Sequence, residues 1–125
     1  MMTKEQFDAA EQVMLAGMQQ SVHDTGHIYR VLWGALRIAE TEPMADLDVV
    51  ILAALLHDIG RLNEEKTPGK GHAAVGADMA GPILQELGWD MATISHVQSC
   101  IRTHSYKKGL TPQTLEGKIL FDADK

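Results

Sequence analysis

Apolar positions along this chain recur at intervals of three and four, and no stretch alternates apolar with polar over more than about five residues, so the pattern predicts helices throughout. A first, weakly amphipathic helix covers about 4–20, with Phe7, Ala10, Met14 and Met18 on one side. A second, over about 25–41, is clearer: Ile28, Val31, Leu32, Ala35, Ile38 and Ala39 make one apolar stripe, and Pro43 closes the segment. Asp46 is placed to cap a third helix whose DVVILAALL run is apolar nearly all round, which marks the domain centre, and Gly60 reads as its stop. The polar, glycine-containing 61–71 segment reads as a mobile loop and a candidate lid. A fourth helix is expected from about 72 toward Leu87, with Pro82 expected to kink or split it and Gly88 to end it. A fifth starts at Asp90 and reaches about 104, with Ile94, Val97 and Ile101 as its stripe. Thr111 and Pro112 fit the cap and first turn of a last helix. Trp33 and Trp89 read as core or cleft-wall packing.

With 125 residues and 45% hydrophobic content, the chain has material for one all-α domain over 1–125, a compact bundle of about five to six helices. Seventeen acidic against eleven basic residues give a formal charge of -6, which argues against a stable nucleic-acid partner, since phosphate backbones demand a basic surface. A small anionic substrate remains compatible where positive charge is local. Cys100 is the single cysteine, so no intramolecular disulfide forms. The longest apolar run, Val49 to Leu56, is far short of a membrane span, and the N-terminal MMTKEQFDAAEQ is unlike a signal peptide. Cytoplasmic residence is the expectation.

The chemistry lies in HDTGH at 23–27, HDIG at 57–60 and FDAD at 121–124. His57 and Asp58 end the most apolar helix, where unpaired carbonyls and the negative end of the helix dipole favour a cation. A helix-terminal histidine stabilised by the dipole alone, with Asp58 solvated, is the plainer alternative. His27 stands one turn before Val31 on the apolar side and points inward. Asp122 follows Ile119 and Leu115 by three and seven residues, so it too is expected on the apolar stripe, with Lys118 as an ordinary ion-pair alternative. A buried carboxylate requires a cation or a dense set of donors. His104 follows Val97 and Ile101 on the inward face, and His72 opens the fourth helix; these two can complete a second metal position that shares Asp58. His96 projects about 80° away from His104, toward the same cleft or toward solvent. His23 and Asp24 read as the cap region of the second helix, with His23 within reach of the cleft.

These elements, His27, His57-Asp58 and Asp122, together with HIYRV, LAALLHDIG, GHAAVGA, CIRTHS and ILFDADK, resemble the HD superfamily of metal-dependent phosphohydrolases over about 23–124. The resemblance implies that His27, His57, Asp58 and Asp122 bind a first divalent metal, drawn from Mn, Fe, Mg, Zn or Ni, and that His72 and His104 match the positions that hold a second. Relatives that degrade cyclic dinucleotides carry a GYP motif, whereas here His104-Ser105 is followed by YKKGL. Many relatives continue beyond the closing motif with further helices, which points to a homodimer in which a partner subunit replaces them.

On this reading a small phosphorylated substrate, a nucleotide or another phosphate ester or anhydride, is hydrolysed. Asp58 bridges the metals or orients the attacking water, while Arg61, Lys66, Lys70 and Lys107 supply positive charge at the mouth. Two other readings use the same residues: a di-iron oxygenase of the same superfamily, and a noncatalytic module whose metal staples the fold or whose cleft binds a nucleotide.

Overall fold

A computed structural model describes residues 2–18, 25–63, 71–105 and 110–125. They form six α-helices, α1 (Lys4–Met18), α2 (Thr25–Ala39), α3 (Leu47–Leu56), α4 (His72–Glu86), α5 (Met91–Arg102) and α6 (Leu115–Asp124), with a short 3-10 helix (Ile59–Asn63) after α3. Among the described residues there is no strand, and no helix is long and apolar enough to cross a membrane. The all-α bundle expected from the periodicity is therefore the fold.

α3 is the central strut. Its side chain at Asp46 accepts from the Asp48 and Val49 amides, which satisfies two donors that the first turn cannot pair internally. Seven of its residues, Val49, Val50, Leu52, Ala53, Ala54, Leu55 and Leu56, are buried, because α1, α2, α5 and α6 all pack against it. A helix apolar all round is stable in water only when surrounded in this way. α4 packs along α5 and against the 3-10 helix.

Two boundaries differ from the periodicity. Gly60 does not stop α3, which ends at Leu56; the chain passes through Gly60 into the 3-10 helix. A Cβ at Gly60 would stand 2.3 Å from the His72 carbonyl oxygen and 2.5 Å from the Gly76 nitrogen, so glycine is required for close backbone approach to α4. The last helix starts at Leu115, capped by Thr114, whose hydroxyl accepts the Gly117 N–H at 3.0 Å, three residues beyond the expected Thr111-Pro112 start. Gly88, at φ 92°, does end α4 as expected. Pro82 sits within α4 without ending it. Trp33 is 63% exposed, contrary to the expectation of packing, while Trp89 rests against the core. The lid expected at 61–71 falls largely on 64–70, outside the described residues.

Candidate metal centre

His57 caps the C-terminus of α3 with its side chain fully buried, and Asp58 follows, 3% exposed. The His57 Nδ1–H donates to the Ala54 carbonyl at 2.6 Å, one of the carbonyls a helix end leaves unpaired, so Nε2 presents its lone pair inward. His104, just past the end of α5, repeats the device by donating from Nδ1 to the Ile101 carbonyl at 2.5 Å. Both rings are thus held in the tautomer a metal ligand needs.

Asp58 lies between two groups of imidazoles. Its Oδ2 faces His57 Nε2 at 3.7 Å and His27 Nε2 at 3.8 Å, while its Oδ1 faces His72 Nε2 and His104 Nε2, each at 3.7 Å. The four rings form a chain, His27, His57, His104, His72, with successive centroids 5.0 to 5.5 Å apart. α6 brings Asp124 to the first group, with Oδ1 2.9 Å from His27 Nε2 and 3.5 Å from His57 Nε2. Ligand atoms of His27, His57 and Asp124 lie within 4.8 Å of one another, as do those of His57, Asp58 and His104.

The closing carboxylate is therefore Asp124, and the expectation for Asp122 is corrected. Asp122 has a side chain 59% exposed and stands 3.8 Å from Lys125 Nζ. Leu120 is fully buried on α6. At 100° per residue Asp122 projects about 160° from it and Asp124 only about 40°. Ile119 is itself buried, but at 100° per residue Asp122 stands about 60° beyond it, on the side away from Leu120. The signal that would have found Asp124 is its spacing of four from Leu120 and seven from Gly117, both buried.

The other expected residues divide. His27, His57, Asp58, His72 and His104 come together. His96 turns away, with Nε2 3.0 Å from Glu116 Oε1. Arg61 Nε is 3.6 Å from Asp58 Oδ1, with its side chain about one-third exposed. Lys66, Lys70, Lys107, His23 and Asp24 lie outside the described residues.

Electrostatics and unmet polarity both suit a cation. Burial by itself would raise the Asp58 carboxyl, but His104, His57 and Arg61 hold it well below the usual carboxylate range. Asp124 is likewise lowered, burial being outweighed by His57 and His104 despite the repulsion of Asp58. Burial disfavours a charged His57, yet Asp124, Asp58 and the Ala54 carbonyl together raise it above its ordinary value. His57 Nε2 is buried with no aligned hydrogen bond, its 3.5 Å approach to Asp124 being too long and oblique for one. An unmet buried nitrogen costs roughly 1–3 kcal/mol, a cost that a bound cation removes. His72 Nε2 and His104 Nε2 stand 3.3 Å apart, a separation suited to a shared proton or an intervening cation. The donor set of imidazole and carboxylate fits Mn, Fe, Zn or Ni, and Mg less well.

The HD domain family model matches residues 24–125. An uncharacterised protein of Methanocaldococcus jannaschii is 39% identical over 100 residues, which span 72% of this chain and 55% of that protein. A tRNA (cytidine(56)-2'-O)-methyltransferase of Thermoplasma volcanium is 36% identical over 108 residues, 78% of this chain and 30% of that enzyme. Among solved structures, the fold is similar to a predicted HD superfamily hydrolase from an uncultured Thermotogales bacterium, with TM-score 0.74 and 37% identity, covering 97% of this chain and 65% of that one. It is also similar to a Lactobacillus plantarum protein, with TM-score 0.75 and 26% identity, covering 99% and 57%. The chain thus spans about half of one curated relative and under a third of the other. With the family pattern matched from residue 24 onward and its histidines and aspartates gathered at one centre, this chain belongs to the HD-domain family.

Proposed function

We propose that the protein is a phosphohydrolase that cleaves a phosphate ester or anhydride, such as a nucleotide or another small phosphorylated metabolite, with one or two divalent metals. The observation that carries this reading is the division of Asp58, one oxygen toward His27 and His57 and the other toward His72 and His104. His27, His57, Asp58 and Asp124 would hold a first metal, and Asp58, His72 and His104 a second. A divalent metal there supplies a lowered water pKa and neutralisation of phosphoryl charge.

The chain's own residues divide the remaining work. Asp58, held ionised by its surroundings, is suited to act as a bridging ligand and to orient water rather than to accept a proton. Arg61 keeps Nε near Asp58 while part of its guanidinium reaches solvent, a placement suited to binding a nonbridging phosphoryl oxygen. Lys66, Lys70 and Lys107 are proposed to add positive charge at the mouth, which an acidic chain with net charge -6 needs locally to hold an anion.

The test is phosphate release from a panel of phosphomonoesters, phosphodiesters and nucleotides by protein loaded in turn with Mn, Fe, Zn, Ni and Mg. The expected result is metal-dependent hydrolysis of at least one class, lost in Asp124→Asn and His57→Ala while helical circular dichroism is kept. Turnover that needs iron and consumes dioxygen without phosphate release would instead identify an oxygenase. Nucleotide binding with no release under any metal would identify a noncatalytic module.

A further inference from the structure

Glu116, in the first turn of α6 and 7% exposed, is a buried carboxylate that the metal centre does not use. Its Oε2 accepts the Asp46 N–H at 2.7 Å, and its Oε1 stands 3.0 Å from His96 Nε2 on α5. The His96 distance is that of an ion pair, although the geometry is not aligned as a hydrogen bond. Each partner sits upstream, on its own element, of residues in the metal centre. Asp46 caps α3, and His57 and Asp58 follow directly on its last residue. His96 is eight residues before His104, and Glu116 eight before Asp124, about 12 Å along a helix axis in each case.

We infer that Glu116 is a positioning residue: by holding the Asp46 amide and His96, it fixes the register of α6 against α3 and α5 and thereby delivers Asp124 to His27 and His57. Apolar contact alone sets this register weakly, because it is non-directional, and α6 meets its neighbours partly through Gly117 and Ala123. A slip of one residue moves α6 by about 1.5 Å and turns it by about 100°, enough to carry Asp124 off the site. A directional acceptor at the opposite end of the helix prevents that slip. The Asp58 set with His72 and His104 contains no residue from α6, so it does not depend on Glu116.

The inference rests on the proposed metal centre, and its test separates the two. Titration of the whole protein with Mn, followed by electron paramagnetic resonance of the free ion, reads the binding events, and Asp124→Asn identifies the one that uses α6. Glu116→Ala should weaken that event by about tenfold or more and leave the other unchanged, by comparison with the loss usual for residues that support metal ligands. Glu116→Gln, which keeps an oxygen for the Asp46 N–H, should fall between, and Glu116→Ala should add nothing in an Asp124→Asn background. Without metal, the imidazole nitrogen shifts of His27 should move in Glu116→Ala as they do in Asp124→Asn, while those of His72 and His104 stay. Equal weakening of both events, or no change at either, overturns the inference. If the wild type takes up no metal, the functional reading fails by itself, and an unmoved His27 resonance still overturns the role of Glu116.

Discussion

At the scale of single residues, the centre turns on which aspartate of FDAD points inward. Asp124→Asn should lower metal affinity at the first position and metal-dependent activity by at least about tenfold to a hundredfold, whereas Asp122→Asn, on a side chain 59% exposed, should change neither. Calorimetric metal titration of the two variants decides it, and the reverse pattern would restore Asp122. The histidines were readable because each stands at a helix end or on a strong apolar stripe. The aspartate was not, because α6 is only ten residues long and both its start and its buried face must be known to within one position. The same groups set a pH dependence. Asp58 and Asp124 titrate below their ordinary 3.8, so the stability they contribute is present above that value and is lost as pH falls through their lower folded values. His57 titrates above its ordinary 6.5, so its contribution is complete below that pH and is lost as pH rises through its folded value. Metal-free protein should therefore be most stable between roughly pH 4 and 6.5. Urea midpoints measured in chelator across pH 3 to 9 check this, and a midpoint that keeps rising to pH 8 contradicts it. A metal on Nε2 replaces the His57 proton, so in saturating metal the decline above neutrality should disappear.

At the scale of elements, periodicity revealed which segments are helical, since α2, α3 and α5 each carry a stripe or an apolar run too long for chance. It did not reveal what happens between elements. Gly60 sits where glycine commonly ends a helix, yet its role is contact with the first turns of α4, a long-range fact absent from local sequence. The two readings make different predictions for alanine. A helix-ending glycine with positive φ, such as Gly88, has open space around the missing Cβ, so Gly88→Ala should cost only backbone strain, about 1 kcal/mol. Gly60→Ala must push the 3-10 helix off the α4 backbone and should cost about 3 kcal/mol or more, since neither side is a flexible side chain that can yield. It should also separate Asp58 from His72, because the displaced carbonyl is that of His72 itself. Denaturant unfolding gives the first quantity and metal titration the second. Equal costs for Gly60 and Gly88 would show that close approach is not what glycine serves in HDIG.

At the scale of the whole molecule, the residues at the centre come from α2, the end of α3, the start of α4, the end of α5 and the end of α6, spanning positions 27 to 124. The unfolded chain holds no such arrangement, so metal binding and folding are linked. At a hundredfold excess over the dissociation constant, one bound ion adds roughly 2.7 kcal/mol, on the order of 10 °C in midpoint for a domain of this size. Among the described residues, Asp58 alone has one oxygen toward each imidazole group, which makes the linkage divisible. His72→Ala should leave the stabilisation due to the first ion and Asp124→Asn that due to the second, whereas Asp58→Ala should leave neither, and its melting temperature should be insensitive to added Mn. The metal-free variant must be compared with metal-free wild type, because removing a buried carboxylate also relieves its desolvation and strands the facing histidines. If Asp58→Ala kept a metal-induced shift as large as that of either single-position variant, the two groups of imidazoles would bind independently, and the carboxylate between them would be a neighbour rather than a bridge.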